Sequence, residues 1–195
     1  MYTEDCKLQT KNHDNGSFIL NEGHEKMNRC FIGEVTDTIH HLDTGEVEVV
    51  KYHNTIINNI GKLIACLFKG QEGYGRLGYW AVGSGSDSWD NVNPTPAQPT
   101  DTGCVNEIGR KAIELSDIKF LDSRNAETSS VTNRIQITVT FTENECNGVW
   151  REFSIYGGNA TSTKGSGIAI NHKNHGIMVK TSNMVIERQI RFTFN

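Results

Sequence analysis

Arg134-Ile135-Gln136-Ile137-Thr138-Val139-Thr140-Phe141-Thr142 carries an apolar side chain at every odd position and a polar one at every even position. Successive side chains of a strand point to opposite faces, so this spacing predicts a strand with one face in a core and the other in water. Glu143 to Gly148 turns the chain, with Asn147-Gly148 as the turn dipeptide, and Val149-Trp150-Arg151-Glu152-Phe153-Ser154-Ile155-Tyr156 returns it as the next strand. Gly157-Gly158 ends that strand. Downstream, Ile168-Ala169-Ile170 and Ile177-Met178-Val179 read as shorter strands around a turn at His172–Gly176. A last strand sets Met184, Ile186, Ile190, Phe192 and Phe194 against Glu187, Gln189, Arg191 and Thr193. Arg188 is its exception, a cation on the apolar face.

Upstream of Arg134 the chain runs through a polar turn at Asp122–Ser130 and an extended stretch from Arg110 to Leu121, whose alternation breaks at Ser116-Asp117. Before it comes a strand, Tyr79-Trp80-Ala81-Val82, then Gly83-Ser84-Gly85 and a polar loop over 84–105 that holds all three prolines, Pro94, Pro96 and Pro99. Prolines keep such a segment extended and supply no ladder donors. A loop of that length inside a compact domain is usually functional or a contact surface. Asn54 to Phe68 changes period. Ile56, Ile57, Ile60, Leu63, Ile64, Leu67 and Phe68 recur at three and four, which predicts a helix over about 55–69, capped by Asn54 or Thr55 and stopped by Lys69-Gly70. Phe31–Leu42 and Val47–Tyr52 flank Asp43-Thr44-Gly45-Glu46, a hairpin signature.

Short strands with one helix predict a mainly β protein: an antiparallel, jelly-roll-like β-sandwich over residues 31–195 with one packed helix. Residues 1–30 are polar apart from Phe18-Ile19-Leu20 and read as an extended N-terminal arm able to dock that patch on a neighbouring subunit. A chain of 195 residues with 36% hydrophobic content is enough for one domain plus an arm. The net charge of −4, with lysines and arginines scattered among carboxylates, argues against a nucleic-acid surface. No apolar run is long enough to span a bilayer, and the N-terminus has no signal-peptide core. The five cysteines, Cys6, Cys30, Cys66, Cys104 and Cys146, are odd in number and show no C-x-x-C spacing. Folding in a reducing cytoplasm with free thiols is the expectation, with cross-links between subunits the alternative.

Few residues suggest chemistry. His172-x-x-His175 is a weak metal candidate, since no cysteine or carboxylate stands at ligand spacing and both read as solvated turn histidines. Asp87, Asp90, Asn91 and Asn93 supply oxygens but without calcium-loop spacing, and read as turn formers. Phosphate loops, Gly-x-Ser-x-Gly elbows and His-Glu-x-x-His are absent from the sequence. No cofactor is expected. Glu107, Arg110, Arg151 and Arg188 are read as structural ion pairs that fasten the long loop to the sheet, with Glu107 paired to one of the three arginines. Phe18, Ile19, Leu20, Trp89, Pro94, Pro96 and Pro99 are the interface candidates.

The ordered set of an apolar run, Val82-Gly83-Ser84-Gly85, a Pro/Asp/Thr loop and Asn106-Glu107-x-x-Arg110-Lys111 resembles tailed-bacteriophage virion proteins of the tail-fibre, baseplate or collar type. The likeness extends to Asn54–Gly70, Asn147–Glu152 and Lys180–Phe194. Gly103-Cys104-Val105 stands where such proteins carry an aliphatic residue, and the first thirty residues have no counterpart. The resemblance implies a non-enzymatic structural subunit of a phage particle, assembled in the host cytoplasm. Its partners would be copies of itself and other virion proteins. The alternative is a carbohydrate-binding module for a host surface glycan, with Tyr74, Tyr79, Trp80 and Trp89 as its aromatics.

Overall fold

A computed structural model describes residues 31–194. The expected arm, with its Phe18-Ile19-Leu20 patch, lies outside the described residues. The chain is mainly β: two antiparallel sheets packed face to face, with one helix. The strands are β1 (Phe31–His41), β2 (Val47–His53), β3 (Thr55–Ile56), β4 (Gly75–Gly83), β5 (Glu107–Ala112), β6 (Ile118–Leu121), β7 (Glu127–Thr128), β8 (Arg134–Phe141), β9 (Gly148–Gly158), β10 (Ile168–Ala169), β11 (Asn171–Lys180) and β12 (Met184–Phe194). The first sheet has the order β2-β1-β12-β8-β6-β7. The second has the order β3-β11-β9-β4-β5, with β10 also on β9.

The alternation read in β8 and β12 sets the core. Ile137, Val139, Phe141, Ile186, Ile190 and Phe192 from the first sheet meet Trp80, Val82, Trp150, Phe153 and Ile155 from the second in one cluster of buried side chains. Phe141 and Trp150 close the seam edge to face, ring centroids 4.9 Å apart. In β2 only Val50 and Tyr52 turn inward, leaving Val47 and Val49 exposed. Gly45 takes the left-handed conformation the hairpin turn requires, at φ 72°.

Three local expectations are corrected. The helix, α1, spans Ile60–Lys69 rather than starting near 55. Thr55-Ile56 instead pairs with Asn171 and His172 of β11. The N-cap is Asn59, without a side-chain cap bond, and not Asn54 or Thr55. Ile60 and Leu63 bury the helix stripe, while Leu67 and Phe68 are exposed. Its end is as read: Gly70 is left-handed at φ 64°, after Lys69.

Second, Asn147-Gly148 does not close a hairpin. β8 pairs with β12 and β6 in the first sheet, whereas β9 pairs with β4 and β11 in the second. The turn is an arch between sheets. The Lys180 ammonium braces it, donating to the Thr142 carbonyl at 2.7 Å and Asn147 Oδ1 at 2.8 Å. Third, the break at Ser116-Asp117 is a 3₁₀ turn at Leu115–Asp117, where the chain crosses from β5 of the second sheet to β6 of the first. No helix among the described residues is long and apolar enough to cross a membrane.

Candidate functional site

The feature that stands out is how the long loop after β4 is held. It lies across β9 and β11, and side chains of both strands secure it. Glu152, fully buried on β9, accepts backbone N–H groups from both ends of the loop: Gly85 at 3.1 Å and Asn106 at 2.8 Å on Oε1, and Val105 at 2.8 Å on Oε2. The neighbouring Arg151 side chain donates to the carbonyls of Ser86, Trp89 and Asp90, with its guanidinium 5.8 Å from the Trp89 ring centroid. Asn174 Nδ2 of β11 donates to the Thr95 carbonyl, and Tyr156 Oη accepts from the Cys104 N–H. At Gly103 a side chain would meet the Tyr156 hydroxyl 2.2 Å away, on a backbone already at φ 131°.

His172 completes the clamp. Its Nε2 lies 3.0 Å from Glu152 Oε2 and its Nδ1 lies 2.8 Å from Asp101 Oδ2 in the loop. Two carboxylates on the two ring nitrogens require both nitrogens to donate, which is the imidazolium. Burial by itself disfavours that charge, but hydrogen bonds to Glu152 and Asp101 outweigh it and raise His172 above its ordinary value. Burial likewise opposes the Glu152 carboxylate, and the bond from His172 with the N–H groups of Asn106 and Val105 brings it below its ordinary value. Both oxygens of Glu152 and both nitrogens of His172 are occupied by the protein itself. This arrangement fixes a loop; it leaves those groups no free atom for a substrate.

The histidine expectation is therefore corrected in place and in partners. His172 and His175 sit on β11, 1% and 5% exposed, not on a solvated turn. His175 Nδ1 donates to the Gly176 carbonyl, and its ring lies beside Tyr52 and Phe153. Burial, helped by the Arg188 charge, pushes it down to about 3, so it is neutral. No group of three or more His, Cys, Asp or Glu among the described residues is placed to hold a metal ion. Asp90 acts as a turn former, its Oδ1 accepting the N–H groups of Val92 and Asn93.

The expected ion pairs separate into three different jobs. Glu107 and Arg110 do pair, through two bonds of 2.6 Å with side chains 6% and 3% exposed. What they fasten is the 159–167 segment, not the Pro-containing loop: Arg110 Nη1 donates to Thr161 and Ser166, and Glu107 Oε2 accepts from the Gly165 N–H. Arg110 also lies against the Tyr79 and Tyr156 rings. Arg151 has no carboxylate partner among the described residues and holds loop carbonyls instead. Arg188 makes a fully buried bidentate pair with Asp37 between the rings of Trp150 and Phe153.

Trp80 is 0% exposed and is core, so the aromatic set proposed for sugars does not form one platform. Trp89 is half-buried against Gly85 and Arg151, and Tyr79 against Arg110. In the loop Pro96 is exposed and Pro94 and Pro99 are half-buried, while Val92 and Val105 present their side chains to solvent. Cys66, Cys104 and Cys146 are free thiols. Burial raises the Cys104 and Cys146 thiols, Cys104 further beside Glu152, which leaves both protonated and poorly reactive.

Sequence reasoning missed Asp37, Asp101, Asn174 and Tyr156. Asp37 had a signal: it shares a face with Val35 and Ile39, a charge on the apolar side of a strand opposite Arg188. The other three had none, because their contacts join a loop to strands far along the chain. Comparison of the chain with protein-family models, with curated proteins and with solved structures gives no match.

Proposed function

We propose that the chain is a non-enzymatic structural subunit of a phage particle, of the tail-fibre, baseplate, collar or neck type, which works by binding copies of itself and other virion proteins. One observation carries this reading. A long loop is held rigid by buried, mutually satisfied groups, while Val92, Val105 and Pro96 face outward from it. A segment fixed in advance loses little conformational entropy when a partner covers it, which favours contact over chemistry. The order of strand, Gly-Ser-Gly, Pro-containing loop and Asn-Glu-x-x-Arg-Lys, similar to tailed-phage virion proteins, supports the same reading.

Light scattering on the full-length protein and mass spectrometry of purified particles test it. A homo-oligomer that Val92→Glu with Val105→Glu weakens, together with a fixed copy number per particle, is the expected result. A monomer at all concentrations that is missing from particles overturns it.

A further inference from the structure

The arch from β8 to β9 encloses an amine in an unusual setting. Lys180, the last residue of β11, stands opposite Gly148 in the strand register and is 1% exposed. No carboxylate lies within ion-pair distance of its Nζ among the described residues, although Lys111 and Lys119 each have one. The nearest candidate, Glu145, is spent on Lys111 and on the Thr142 N–H and hydroxyl. Lys180 has only the two neutral oxygens of Thr142 and Asn147. A buried ammonium without a counter-ion is costly, and burial lowers the Lys180 pKa against the opposing charges of Cys146, Glu145 and Glu143. A lysine desolvated in this way spends more time as the free amine, which is the nucleophilic form.

The group in front of that amine is a carboxamide. Nζ lies 2.8 Å from Asn147 Oδ1, and the carbon bearing that oxygen is one C=O bond, about 1.2 Å, further on, so it is within about 4 Å of Nζ. Both partners are also anchored to the arch backbone. Lys180 holds the Thr142 carbonyl at 2.7 Å, and Asn147 Nδ2 donates to the Glu143 carbonyl at 2.8 Å. Trp150, with its Nε1 on the Cys146 carbonyl, and Phe141 wall the inner side of the arch. Reactants fixed this close and in one orientation need little further ordering to react.

We propose that Lys180 and Asn147 are joined by an isopeptide bond that the folded chain forms on itself. Lys180 Nζ attacks Asn147 Cγ, a new C–N bond forms and the Cγ–Nδ2 bond breaks. The proton that the Lys180 ammonium gives up leaves with Nδ2, so one ammonium and one carboxamide become one secondary amide and one ammonium ion in water. Nothing is oxidised or reduced, and no further reactant is required. Asn147 is at the surface, which lets the ammonia escape. The product removes the buried charge without moving either strand, and ties the start of β9 to the end of β11 across 33 positions of sequence. A cross-link of that span restrains the unfolded chain and locks the arch shut. The proposal does not depend on the assembly reading, since it concerns a single chain.

Intact mass spectrometry of the full-length protein, kept folded and denatured just before measurement, tests it. The expected mass is lower than that of the sequence by one ammonia, and digestion yields a branched fragment in which Lys180 carries Asn147. Lys180→Arg and Asn147→Ala each restore the full mass of their own sequences, as does wild-type protein kept unfolded in urea from synthesis onward. Full sequence mass in the folded wild-type protein after prolonged incubation overturns the proposal. So does an ammonia loss that leaves Lys180 free. A succinimide at Asn147-Gly148 would give that result, and hydroxylamine would then cut the chain there.

Discussion

Glu152 is the residue on which the long loop turns. It is a buried carboxylate with an imidazolium and three backbone N–H groups around it. Glu152→Gln keeps the shape but leaves the His172 charge short of one partner. Breaking a buried pair on one side costs about 3–5 kcal/mol, which urea unfolding will register as a lower midpoint. The same residues give the stability a pH window. His172 is raised above 6.5, so its contribution is complete below about 6.5 and is lost as pH rises through the folded value. Glu152 is depressed below 4.5, so its contribution is present above about 4.5 and is lost as pH falls through the folded value. The thermal midpoint is therefore highest between those limits, and His172→Gln flattens the alkaline limb in a pH series. Asp37 and Arg188 supply the contrasting case. Asp37→Ala strands a buried guanidinium and costs about 3–5 kcal/mol, whereas replacing both by leucine restores most of the loss, since an apolar pair carries no desolvation penalty.

At the scale of elements, the loop behaves as part of the sheet it crosses. Its length suggests a protease target, yet its carbonyls and N–H groups are held by Arg151, Glu152 and Asn174. Limited proteolysis with thermolysin at neutral pH will leave 84–106 intact, and cutting there will begin as the pH rises far enough to discharge His172. Gly103→Ala, which forces a side chain into the Tyr156 hydroxyl from a strained backbone, will expose the loop to cutting at every pH. This is also where reading from sequence met its limit. Period-two alternation in β8 and β12 identifies strand, face and core, because burial acts residue by residue along one element. It does not say which sheet receives the next strand, and the Asn147-Gly148 turn serves an arch as well as a hairpin. Ile56 and Ile57 fit a helical stripe, but pairing with β11 takes Thr55-Ile56 as a strand and delays the helix to Ile60. The clamp was half legible: Arg151 and Glu152 stood out as charges within an apolar strand, while Asp101 gave no sign of the histidine it faces.

The whole molecule is two sheets joined by repeated crossings, from β2 to β3, β5 to β6, β8 to β9 and β11 to β12. The first sheet has β1, β12 and β8 at its centre, and hydrogen exchange will be slowest there and fastest at the two-residue β7 on its margin. The second sheet carries the clamped loop, held by Arg151, Glu152 and Tyr156 of β9 and by His172 and Asn174 of β11. The first and last described strands are neighbours over their whole length, Phe31 standing beside Phe194 and His41 beside Met184. Any tether fused ahead of Phe31 and any tether fused behind Phe194 must emerge from one corner, a single strand spacing apart. Two labels grafted beside Phe31 and Phe194 would report almost no separation, and a short bridge between those points, in a chain from which residues 1–30 are left out, would make the backbone a ring without disturbing a strand.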